Sequence, residues 1–220
     1  VKPALCIALA AALAGCASRP PVPDWQTNAR LAMDDTTEAV LRGDTAAEQR
    51  AFARARAEVA RTGDPAVVAR IELMRCAAHV ASLQFGPCAG FEAVRVDAGA
   101  DERAYAAYLQ GQPLSAADVE RLPPAQRPVA AALARGTADP AAVRDVADPQ
   151  SRLIAIAVAF QAGAASPAMM AVATETASAQ GWRRPLLGWL KIQAERAAQA
   201  GDEAEAARLR RRVTLVENGR

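Results

Sequence analysis

The stretch CAAHVASLQFGPC, Cys76 to Cys88, sets the chain's only histidine between two of its four cysteines. Thiolate and imidazole are zinc ligands, but a structural zinc site takes about four of them, commonly in paired short spacings. Here only Cys76, His79 and Cys88 are in view, and no second pair remains elsewhere if Cys6 is cleaved and Cys16 acylated, as the N-terminus predicts below. A cysteine nucleophile needs a depressed thiol pKa and a base in reach. Cys76 and His79 satisfy the second need if they share a helix, yet no oxyanion-hole motif accompanies them. The third chemistry is a disulfide between Cys76 and Cys88.

Other groups invite catalytic readings and lose them to position. The carboxylate pairs Asp34 with Asp35, Asp101 with Glu102, and Glu203 with Glu205 could act as acids and bases. They fall at expected helix starts or on solvated faces, where negative charge favours the helix N-terminus. No Gly-x-Ser-x-Gly, phosphate-cradling loop or zinc-protease motif occurs. The sequence therefore predicts no enzyme, no metal and no cofactor. Arg208, Arg210, Arg211 and Arg212 form a basic run that could contact anionic lipid or a partner. A solvated helix end, with cations on the dipole and Glu205 paired to Arg208, explains the same run.

The elements that must carry these residues read as helices. The chain is rich in alanine, and aromatics make up only 4% of it, a balance that favours helix over sheet. Asp64-Pro65, Asp139-Pro140, Asp148-Pro149 and Ser166-Pro167 each place a capping side chain before a proline at the first helical position. Gly43, Gly63, Gly111, Gly136, Gly163, Gly181 and Gly201 stand where helices should stop. Helices are expected over Trp25–Leu41, Thr45–Arg61, Pro65–Gln84, Asp101–Gln110, Pro124–Arg135, Gln150–Ala162, Pro167–Gln180, Pro185–Ala200 and Asp202–Val216, with shorter turns over Ser115–Leu122 and Pro140–Val146.

Periodicity assigns faces to these helices. Phe52, Ala55 and Val59 oppose Arg50, Arg54, Glu58 and Arg61, so the second helix lies on the surface. The third has two apolar faces, Val67-Ile71-Met74-Ala78-Ala81 and Leu73-Ala77-Val80-Leu83, with Arg70 and a Glu72-Arg75-His79 stripe left polar. It should be sandwiched, and Leu153 to Phe160, apolar all round, should be a core helix. Trp182 and Trp189 are expected as core and capping contacts. The fold class is all-α: antiparallel helical hairpins resembling tetratricopeptide repeats, or an irregular helical bundle. Residues 24–220 form one such domain.

The N-terminus predicts location. Lys2 precedes an apolar run from Ala4 to Ala14, far short of the roughly 20 residues a membrane span needs. Residues 1–15 read as a signal peptide. Leu13-Ala14-Gly15-Cys16 resembles the lipobox of bacterial lipoproteins. The resemblance implies cleavage before Cys16, acylation of its thiol and new amine, and firm membrane anchoring. With Ala17 and Ser18 following, it implies sorting to the periplasmic face of the outer membrane. Residues 16–23 carry three prolines, Pro20, Pro21 and Pro23, and would form an extended tether of about 20 Å.

This location bears on the cysteines. In an oxidising compartment, with Cys6 cleaved and Cys16 acylated, Cys76 and Cys88 are the thiols left to pair. Phe85-Gly86-Pro87 supplies the chain reversal they need, and His79 then belongs with Glu72 and Arg75. The formal net charge of +2 provides no field to attract nucleic acid. The expected function is a protein-binding or assembly accessory, similar to helical-repeat lipoproteins that assist assembly of outer-membrane proteins, pili or secretins. Its partners would be the membrane, through the anchor, and an envelope protein. A motif-poor envelope enzyme and a structural lipoprotein bound to peptidoglycan are the alternatives.

Overall fold

A computed structural model describes residues 21–137 and 139–219. The expected signal peptide, the lipobox with Cys16 and the start of the tether lie outside the described residues. Those described form an all-α bundle: α1 Asp24–Arg42, α2 Thr45–Ala60, α3 Pro65–Ala81, α4 Ala89–Glu92, a 3-10 turn Arg95–Asp97, α5 Ala100–Leu109, α6 Ala116–Arg121, α7 Arg127–Ala134, α8 Pro140–Arg144, α9 Pro149–Gln161, α10 Pro167–Ala179, α11 Arg183–Gln199 and α12 Glu203–Asn218.

The helix ends follow local chemistry. Asp64, Asp139, Asp148 and Ser166 each accept a hydrogen bond from a backbone N–H in the first turn of a helix that opens with proline. Asp44, Ser115 and Asp202 cap α2, α6 and α12 in the same way. All seven expected stop glycines adopt left-handed backbone, as Gly43 does at φ 88°.

Two expectations change, and two short elements are new. The third helix stops at Ala81 instead of running to Gln84, and Leu83 takes a left-handed conformation at φ 60°. The turn directs the Leu83 side chain onto α11, where Gly188 leaves room that a Cβ would occupy at 2.9 Å. The helix expected from Pro124 begins at Arg127, because the turn before it buries Gln126. That amide accepts from the Tyr108 hydroxyl at 2.8 Å and donates to the Ser151 carbonyl at 3.0 Å. α4 and the 3-10 turn, each under two turns long, lacked any apolar period to announce them.

α9 is the axis of the core: Leu153 through Val158 and Ala159 are all buried, as its all-round apolar sequence requires. Against it pack α3, α5, α7, α8 and α10. Phe160 meets Trp189 of α11 edge to face at 5.5 Å, a favoured aromatic geometry. A smaller cluster, built from Ala32, Met33, Phe52, Ala55, Val59 and Ile71, joins α1, α2 and the start of α3. The two- and three-residue connectors make α1–α2 and α11–α12 antiparallel hairpins. α1 also touches α11: the Trp182 indole donates to Glu38 at 3.2 Å, and Arg184 donates to Thr45 at the start of α2 at 3.2 Å. In an open repeat array each unit would meet only its sequence neighbours. This closure between distant ends is that of the irregular bundle.

Candidate functional site

Two features combine polar and apolar groups in ways that could act. The first is a buried charge cluster where α2 meets α3 beneath the Ser82–Cys88 loop. Glu48 is only 2% exposed. It sits one turn before Phe52 on the face that also carries Ala55 and Val59, so α2 turns a carboxylate into the bundle. Arg75 and His79, four residues apart on α3, both reach it at 2.8 Å. Burial pushes the Glu48 carboxyl up, but Arg75 and His79 together outweigh it and hold the group below its usual range.

His79 is thereby placed with Glu48, across the helix interface, instead of with Glu72 on its own stripe. Its Nδ1 meets the Gln84 side-chain oxygen at 2.7 Å, and the same oxygen accepts from Arg184 of α11 at 3.0 Å. Glu72, also buried, pairs with Arg56 of α2. Its carboxylate lies so close over Gly90 that any Cβ there would overlap it. The Arg75 guanidinium stands over the Phe52 ring at 4.6 Å. Cys76 and Cys88 are disulfide-bonded with Cα atoms 5.6 Å apart, an ordinary separation for such a bond. The bond closes the loop over a 270 Å³ cavity that also exposes Arg75, His79 and Phe85.

Chemically this cluster is a set of mutual neutralisations. Each buried carboxylate is paired with an arginine. The cluster ties α2, α3, α11 and the loop together. Glu48 escaped the sequence reading, although its i, i+4, i+7 spacing to Phe52 and Ala55 was the available signal.

The second feature is a groove along the outer side of α3. A cavity of 500 Å³ bordered by Leu73, Met74, Tyr105, Leu122, Pro123 and Pro124 adjoins one of 270 Å³ bordered by Leu41, Ala77, Ile154 and Trp182. Met74 and Tyr105 border both. Met74, expected within an apolar core face, is 45% exposed here. The first cavity has Arg70, Arg121 and Arg127 at its rim with Asp101 and Glu102; the second has Asp34 and Glu38. The volume is in the range of small-ligand and peptide side-chain sites, which are mostly apolar with a few polar groups.

The remaining expected residues lie apart from both features. Arg208 is bidentate to Glu205, whose carboxyl it holds down, and Arg210 approaches Glu203 at 3.7 Å. Arg211 and Arg212 make no salt bridge among the described residues. Asp101 pairs with Arg121 and Glu102 with Arg70, so that carboxylate pair serves the groove's rim. Trp189 is fully buried, and Trp182, at the start of α11, borders the groove. Among the described residues no cluster of His, Cys, Asp and Glu is arranged to hold a metal, and no helix is long and apolar enough to cross a membrane. Comparison with protein-family models, with curated proteins and with solved structures finds no match.

Proposed function

We propose that the protein is a lipid-anchored binding accessory of the bacterial cell envelope, whose α3 groove holds a segment of a partner protein. The single observation that carries this reading is the groove itself. Met74 and Tyr105 join a mainly apolar hollow and a second, half-polar one into one trough beside exposed Pro123 and Pro124. Apolar surface open to water in a channel rimmed by polar groups is the usual signature of a binding surface. A rigid wall supports it: Leu73, Ala77, Leu122 and Ile154 beneath are buried core residues. A preorganised trough of this kind loses little entropy when it takes an extended chain.

The lipobox-like Leu13-Ala14-Gly15-Cys16 supports anchoring at the periplasmic face of the outer membrane. The Cys76–Cys88 disulfide fits an oxidising compartment. Catalysis finds less support, since the buried carboxylates Glu48 and Glu72 are each held by guanidinium groups. The test is Met74→Glu in the native lipoprotein. A charge in the trough should abolish partner recovery after cross-linking in membranes, while the circular dichroism spectrum and melting temperature stay unchanged. Undiminished recovery would defeat the groove as the binding site. For the anchor, Cys16→Ser should release the protein from membranes or block its processing.

A further inference from the structure

Resting on the binding reading above, we infer that the groove selects a partner segment bearing a carboxylate at one end, a cation at the other and apolar side chains between. The charges around the trough are segregated. At the α5–α6 end, Arg70 is paired with Glu102 at 2.8 Å and Arg121 with Asp101 at 3.1 Å. Arg127 has only a loose approach of 3.8 Å to Glu120, whose side chain is 77% exposed and does not border the cavity. Its Nε donates to the Leu122 carbonyl, which points the guanidinium at the rim. The surplus at that end is one positive charge.

At the α1 end the surplus has the opposite sign. Glu38 is neutralised by Arg42 and receives the Trp182 indole N–H. Asp34, one turn earlier on the same helix, is exposed and makes no ion pair among the described residues. No cation borders that cavity to balance it. Between the two ends Met74 and Tyr105 border both cavities, and the other polar groups there, Thr37, Gln150 and Ser151, carry no charge.

The stretch of α3 that lines the trough sets the scale of the apolar part of the occupant. Arg70 borders the positive cavity and Ala77 the negative one. Seven helical residues separate them, about 10 Å at 1.5 Å per residue. An extended chain covers that distance with about three residues at 3.3 Å each. The motif is therefore a short apolar core flanked by opposite charges. Opposed surplus charges also disfavour segments carrying the same sign at both ends, since one end must then face its like.

The experiment uses short labelled synthetic peptides with a Leu-Val-Phe core, flanked by Asp and Lys, by Asp and Asp, or by Lys and Lys, titrated against the full chain by fluorescence polarisation. The mixed-charge peptide should bind about three- to tenfold more tightly than either like-charged one, the scale of one or two exposed ion pairs. Asp34→Lys should shift the preference to the Asp-Asp peptide. Arg127→Glu should shift it to the Lys-Lys peptide, and Arg121→Glu, which leaves the Leu122 hydrogen bond in place, should do the same if Arg127→Glu unfolds the turn. Equal binding of all three peptides, or a preference unmoved by these variants, would overturn the charge selection and leave the groove as a binding site. Absence of binding by any peptide would remove the groove reading as well.

Discussion

At the residue scale, Glu48 has the most to lose. A carboxylate buried to this extent persists because Arg75 and His79 compensate its desolvation. Glu48→Gln keeps the shape and removes the charge, leaving Arg75 and His79 without their anionic partner. We expect a loss of about 1–3 kcal/mol near neutral pH, read by urea denaturation. The pH dependence has a definite sign. The folded carboxyl sits below its unfolded pKa, so its stabilisation is present above the unfolded value, near 4.5, and is lost as pH falls through the folded one. The wild-type and Glu48→Gln stabilities should converge on acidification; a gap that stays constant down to about pH 3 would contradict this account. His79 illustrates what sequence can and cannot give. Its helix stripe was legible, but its partner sits 31 residues away on another helix, a relation only the packing of α2 on α3 creates.

At the element scale, the Ser82–Cys88 loop acts as a keystone. It lays Leu83 on α11 at Gly188 and Phe85 against Phe160 at 6.3 Å, and it bonds Gln84 to both His79 and Arg184. The disulfide fixes the loop's return to α3. Its reduction should lower stability by about 2–4 kcal/mol, a loss visible as a shift in denaturation midpoint with unchanged helical content. Two free thiols in unreduced, denatured protein would show that the bond does not form. In the core, Ile156→Ala on α9 should cost about 2–5 kcal/mol, because the site is closed on every side. Helix starts and stops were readable from Asp-Pro and Ser-Pro pairs and from glycines, since those signals are local. The early stop of α3 was not, because a left-handed leucine persists only where tertiary contacts hold it.

At the scale of the whole molecule, closure of α1 on α11 converts a series of hairpins into one rigid bundle, and rigidity is what lets an open apolar trough survive beside a packed core. The groove was not readable beforehand. Met74 repeats with Ile71 and Ala78 at helical spacing, and nothing in the pattern says that one member of the row lacks a neighbour. All-α architecture and a core α9 were legible because composition and periodicity report burial directly; a gap between helices depends on which helices end up adjacent.

The proposed function places a partner in this trough. Its most direct measurement is site-specific photo-cross-linking in native membranes, with the cross-linking residue at Pro124 beside the groove and, as control, at Leu31, which is 58% exposed on α1 and borders neither groove cavity. A discrete adduct is expected from Pro124, absent from Leu31 and lost when Met74→Glu is added. Identical adducts from both positions, or a Pro124 adduct indifferent to Met74→Glu, would contradict that placement.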